Sequence, residues 1–196
     1  MWLRWVVLVT AGELLGFSIP ALVATFTWDR PGVWPMVALL AAGAGEGAVL
    51  GMFQARALRP AIPDLGYRAW VAATALGALV AWSVAMALTR ADVVREWPAS
   101  RAIPVLCTGG AVVIAALGVT QWVVLRRYLT RAGWWIAATA LSWAAGLTAF
   151  ALFTSPLWHQ GQPAGEIAAI GIAGGFLMAA VMAAVSGGFL SWLLRP

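Results

Sequence analysis

Six apolar runs joined by short arginine-bearing turns leave this chain few ways to fold. They are Trp5–Trp28, broken only by Glu13; Val33–Ala55, broken only by Glu46; Ala69–Thr89; Ala102–Leu125; Ala132–Leu157; and Ile167–Leu194. Each reaches the length of about 20 residues that a helix needs to cross the hydrocarbon core of a bilayer. In lipid a helix satisfies its own backbone, whereas an isolated strand does not. The expected fold is therefore an all-α integral membrane protein with six transmembrane helices, one domain spanning residues 1–196. Composition agrees: 63% of residues are hydrophobic and 10% charged, against about half and a quarter in soluble domains.

Net charge points the same way once the positions of the cations are considered. A pI near 11 would suit a nucleic-acid binder, but the arginines lie between apolar runs and form no basic face. No nucleic-acid partner is expected; the bilayer and its anionic headgroups are. Arg4, Arg56, Arg59, Arg68, Arg126, Arg127, Arg131 and Arg195 fall on one side, and Arg30, Arg90, Arg95 and Arg101 on the other, where Asp29, Asp92 and Glu96 partly offset them. The positive-inside rule then puts both termini in the cytoplasm. All 12 basic residues are arginine, a usage that fits a GC-rich bacterial genome, so the expected location is a bacterial inner membrane. The first run is too long for a signal peptide, contains Glu13 and has no small-residue cleavage site after it. It is read as a mature helix. Trp2, Trp5, Trp28, Trp34, Trp70, Trp97, Trp134, Trp135 and Trp158 lie near run ends, where an interfacial aromatic belt would place them.

The chain also repeats itself. Trp70-Val-Ala-Ala-Thr-Ala-Leu-Gly77 matches Trp135-Ile-Ala-Ala-Thr-Ala-Leu-Ser142 after a shift of 65 residues, and Trp5 and Gly12 stand 65 residues before Trp70 and Gly77. Among the even-numbered runs, Gly51-x-x-Gln54-x-x-x-Leu58-Arg59 matches Gly118-x-x-Gln121-x-x-x-Leu125-Arg126. The last run ends Gly187…Leu194-Arg195-Pro196, with Leu190 where the glutamine would be. Three helical hairpins in parallel orientation follow, over about residues 1–60, 66–127 and 131–196.

Helix packing is encoded in small residues. Gly43, Gly47 and Gly51 recur every four residues and open a groove along one helix face, which lets two backbones approach. Gly171, Gly175, Ala179, Ala183 and Gly187 make a similar stripe on the last helix, expected to pack centrally. The Gly43/Gly47/Gly51 face is a candidate partner for it.

The run Gly118-x-x-Gln121-Trp-Val-Val-Leu-Arg-Arg127, followed by Ala132-Gly-Trp-Trp135, resembles uncharacterised bacterial multi-pass membrane proteins with a repeated G-x-x-Q-W-x-x-L-R-R helix-end motif. The resemblance covers the second half of the chain, and the first half through the repeat. It implies a six-helix architecture and no particular activity. The first hairpin departs from the pattern by adding two acids.

Those acids, Glu13 and Glu46, are the charged groups deep inside the runs, each roughly 12–15 Å from the arginine-rich boundary. An ionised acid there costs at least about 2.5 kcal/mol. Two at one level would hold one proton between them. The functional reading is a proton or cation site, or an anchor for a cationic ligand group; the structural reading is a protonated acid bonded to a Trp, Thr or backbone carbonyl. Gln54 and Gln121 could line a polar vestibule or simply bond between helices, the commoner role. Trp82, Trp122 and Trp143 could line an apolar pocket or pack the core. His159, beside Gln160 and Gln162, reads as a solvated loop residue.

Other chemistry is poorly provided for. The lone Cys107 and lone His159 make no disulfide, haem pair or zinc site. The glycines lack the strand and lysine of a phosphate loop. Ser186-Gly187-Gly188 has no intramembrane base beside it. No metal, no cofactor and no catalytic residue is expected. The preferred reading is binding or translocation of a small solute, proton or lipid-like ligand at a cavity near Glu13 and Glu46. The alternative is an accessory or scaffold subunit of a membrane complex, or a homo-oligomer, with a membrane-embedded enzyme third.

Overall fold

The computed structural model describes residues 1–27, 29–90 and 96–195. Trp28, Asp92 and Arg95, used above for the belt and the charge count, lie outside the described residues. Six α-helices follow in order: α1 (Trp2–Thr27), α2 (Trp34–Leu58), α3 (Tyr67–Arg90), α4 (Ala99–Leu125), α5 (Trp134–Thr154) and α6 (Ala164–Leu193). All are long and apolar enough to cross a membrane, and no strand occurs among the described residues.

Proline sets several boundaries. Pro35 lies in the first turn of α2, and Pro98 and Pro163 immediately precede α4 and α6. At a helix start the missing N–H costs nothing, because it would have no intrahelical acceptor there. α5 ends at Thr154, earlier than Leu157: Ser155 keeps helical angles and donates to the Ala151 carbonyl, but Pro156 has no N–H with which to continue the ladder. Gly32 and Gly161 carry the α1–α2 and α5–α6 turns at φ +88° and +83°, a region that side-chain-bearing residues rarely enter.

Each helix packs against its neighbour in the chain, and α6 returns to α1. Glycines set these contacts. A Cβ on Gly12 would meet the Phe53 side chain at 2.7 Å, and one on Gly77 would meet Thr120 at 2.6 Å. Between hairpins, a Cβ on Gly51 would lie 3.0 Å from Val71 Cα, and one on Gly118 would lie 2.9 Å from Ile136 Cα. At the arginine-rich end, Arg4 donates to the Arg56 carbonyl at 2.8 Å, and the Tyr128 hydroxyl accepts from the Gly66 N–H at 3.2 Å.

Two packing expectations are corrected. The Gly43/Gly47/Gly51 face is covered by α3, through Trp82, Ala78 and Thr74, while α6 lies between α5 and α1. On α6, a Cβ on Gly187 would lie 2.8 Å from the Trp5 ring and one on Gly174 2.6 Å from Thr154, whereas a Cβ on Gly175 would meet nothing and one on Gly171 only Trp158 at 3.8 Å. The cause is geometric. A step of four residues overshoots a helical turn by about 40°, so the row from Gly171 to Gly187 wraps about 160° around the helix and cannot face one neighbour throughout.

Tryptophan placement is corrected as well. Trp2, Trp34, Trp97, Trp134 and Trp158 are exposed, but Trp5, Trp70 and Trp135 are buried to within 1%. Their rings meet at the bundle centre, Trp5 edge-on to Trp135 at 5.7 Å and Trp70 tilted on Trp135 at 6.3 Å. They belong to the core, and around them sit the buried side chains of Leu58, Leu125 and Leu193. Burial falls off toward the opposite end: on α4 the six consecutive residues from Ile103 to Thr108 are all exposed.

Candidate functional site

The buried tryptophans are held by polar partners from other helices. Trp70 donates its indole N–H to Gln54 Oε1 at 3.3 Å, Trp135 to Gln121 Oε1 at 2.9 Å, and Trp5 to Ser186 Oγ at 3.0 Å. Gln121 Nε2 in turn donates to Gln54 Oε1 at 2.7 Å and to Thr74 Oγ1 at 2.9 Å. Because an indole can only donate, the two tryptophans fix which end of each amide is oxygen. Gln54 and Gln121 are thus brought together in one interhelical network.

Next to this network is a cavity of about 10 Å³, room for a single water molecule. Trp5 and Val9 of α1 and Gln54 and Leu50 of α2 line it, with Thr139, Ser142 and Trp143 of α5 opposite. The rows Trp5–Val9–Glu13 and Gln54–Leu50–Glu46 each advance by four residues, which keeps a row on one helix face. Glu13 and Glu46 therefore continue the cavity-lining rows, about 6 Å farther along the bundle. The α1 residue that packs on Glu46 is Gly16, three residues after Glu13, so the two acids lie within about a turn of each other on adjoining helices.

Their surroundings differ. Glu46 Oε2 accepts the indole N–H of Trp82 at 2.8 Å, and the bare face of Gly43 accommodates that indole ring. Gly16 lies against Glu46, with room for no side chain: a Cβ there would stand 2.9 Å from the Glu46 carbonyl oxygen and 3.3 Å from its Cγ. Glu13 is 1% exposed, yet neither carboxyl oxygen has a hydrogen-bond partner, and the buried hydroxyl of Thr10, one turn away, has none either.

Compared with known proteins, the chain matches no family model, no curated protein and no solved structure. The chemistry must be read from its own side chains.

Three participants were not singled out by the sequence for these roles. Thr74 joins Gln121 to α3, Thr10 stands beside Glu13, and Ser186 replaces an amide as the acceptor for Trp5. The substitution of Leu190 for glutamine was the available signal for Ser186: a third buried indole needed an acceptor on the last helix, and Ser186 lies one turn away. Trp82 bonds to Glu46, Trp143 lines the central cavity, and Trp122 lies beneath the Arg126 guanidinium at 5.1 Å. His159 is exposed in the α5–α6 loop, where Gln162 accepts its backbone N–H at 3.0 Å. Cys107 is exposed on α4. Among the described residues, no three His, Cys, Asp or Glu side chains cluster as metal ligands.

Proposed function

We propose that this protein is a membrane bundle that binds and translocates a proton or small cation at Glu13 and Glu46. The observation that carries the reading is Glu13: a buried carboxyl with no donor on either oxygen, one turn from the Gly16 contact with a second acid. Such a group is costly in lipid and is retained where a positive charge visits it. Neither acid lines the central cavity, but its one water-sized space, about a turn away from them, favours a proton or small cation over a lipid-like ligand. The proposal includes a bacterial inner membrane with both termini cytoplasmic, supported by the arginine count, and three parallel hairpins, supported by the matching tryptophan bonds of Trp70 and Trp135.

The test is ion flux into proteoliposomes. Glu13→Gln and Glu46→Gln should each reduce electrogenic proton or sodium uptake at least about tenfold, with the monomer still folded by size exclusion. Flux unchanged in both variants overturns the reading.

A scaffold role has its own support, the exposed apolar stretch Ile103–Thr108 on α4. Under that reading, native mass spectrometry of gently extracted protein would show a stoichiometric partner, or a second copy, that a charged substitution at Leu106 releases.

A further inference from the structure

We infer that Thr10, Glu13 and Glu46 form a binding site for a dehydrated monovalent cation of sodium size, which exchanges there with a proton. This rests on the ion-site reading above and deepens it by naming the ion and its ligands.

Thr10 supplies the independent observation. Thr74, Thr139 and Thr154 are also buried helix threonines, and each returns its hydroxyl to the carbonyl four residues back at 2.8–2.9 Å. Thr10 makes no such bond, although it is only 8% exposed. Its hydroxyl is left uncommitted on the same helix as Glu13, three residues before it, where side chains are neighbours. Both Glu13 oxygens are likewise unpartnered, and Glu46 Oε1 is left over when Trp82 takes Oε2, so α1 and α2 carry four oxygens within about a turn of one another with lone pairs to offer a cation.

The donor set selects the ion. All four atoms are hard oxygens, which suit alkali and alkaline-earth cations rather than soft metals. Calcium takes six to eight oxygens, and magnesium holds an octahedral shell of reluctantly lost waters; four protein oxygens serve neither. Charge decides between one cation and two. No charged side chain interrupts α3 between Arg68 and Arg90, α4 between Arg101 and Arg126, α5 at any point, or α6 between Glu166 and Arg195. The two carboxyls must therefore be neutralised by what binds them. One proton and one monovalent cation achieve this, and so do two protons, so sodium entry with proton release is charge-neutral.

The test uses the purified full-length protein in detergent, with choline as the inert control ion. A hydrophobic carbodiimide should modify Glu13, and sodium should slow that modification at least about tenfold and raise the thermal unfolding midpoint. Choline and magnesium should do neither, and acid should compete with sodium. Thr10→Val, which removes the hydroxyl and keeps the shape, should leave carbodiimide labelling intact but weaken sodium protection about tenfold; Thr10→Ser should restore it. Sodium that changes neither labelling nor unfolding in the wild type overturns the inference, as does a Thr10→Val protein protected as well as the wild type. If proton flux still depends on Glu13 in that event, the proton reading stands alone; if Glu13→Gln also leaves all flux intact, both fall.

Discussion

Trp82 donates its indole N–H to Oε2 of Glu46 across the α2–α3 contact at 2.8 Å, and the absence of a side chain at Gly43 lets the ring reach it. A membrane helix thus keeps a glycine for the sake of a bond made one turn away. The pair links the acid to a helix outside its own hairpin, so what happens at Glu46 is felt by α3.

That link can be measured. Trp82→Phe keeps most of the ring but leaves a buried carboxyl oxygen without its donor, which costs about 1–3 kcal/mol. The loss should be much smaller in a Glu46→Leu background, giving a coupling energy of about 0.5–3 kcal/mol in a double-mutant cycle. Denaturant-detergent unfolding of the four proteins checks it, and strictly additive losses would show that the bond contributes nothing.

Glycines that look alike in sequence should differ in consequence. Gly47→Ala would place its Cβ 2.5 Å from Ala78 Cβ and 2.8 Å from the Thr74 carbonyl oxygen. Neither neighbour is a flexible side-chain end. Overpacking of this kind costs about 1–3 kcal/mol. Gly175→Ala meets nothing and should fall within about 0.5 kcal/mol of the wild type, as substitutions on an open face do. Equal effects would contradict the α2–α3 geometry.

Gln121 should matter more than Gln54. Gln121 serves three bonds, to Gln54, Thr74 and Trp135, whereas Gln54 accepts two. Gln121→Leu leaves the Trp135 N–H buried without an acceptor, a loss of about 1–3 kcal/mol. Gln54→Leu orphans the Trp70 N–H as well, but that bond is the longer one at 3.3 Å and Gln121 keeps Thr74 as an acceptor, so the loss should be smaller. Unfolding in detergent gives the ranking, and tryptophan emission reports whether the Trp5/Trp70/Trp135 cluster has loosened.

Ser142 offers a gentler probe of the central cavity. Its hydroxyl donates to the Ala138 carbonyl at 2.6 Å, leaving its lone pairs toward a space for one water. Ser142→Val should fill that space with a methyl group and slow ion uptake several-fold, at a stability cost of no more than about 1–3 kcal/mol, the range for added bulk in a packed core. Undiminished uptake would place the ion's path elsewhere.

The six helices were legible in the chain because lipid is a simple solvent: a run of apolar residues of sufficient length, bounded by arginine or proline, has one way to satisfy its backbone. The two acids were legible for the same reason, since charge in such a run is conspicuous. The partners of those residues were not. Trp5, Trp70 and Trp135 sit near run ends exactly as lipid-facing tryptophans do, and a linear pattern does not say which way a side chain points when both lipid and core are apolar. The small-residue stripe on α6 misled in a related way, because spacing marks where a close approach is possible and not which helix makes it.

Tertiary structure decided those matters. It buried the three tryptophans by giving each indole N–H an acceptor on a different helix, it covered the Gly43/Gly47/Gly51 face with α3, and it aligned Glu13 with Glu46 beyond a cavity neither helix contains alone. Sequence determined that this chain enters a bilayer and that two acids enter with it, because transfer from water to lipid acts on each residue separately. Packing among helices that are equally at home in lipid depends on shape and hydrogen bonds between distant residues, and only the assembled bundle fixes those.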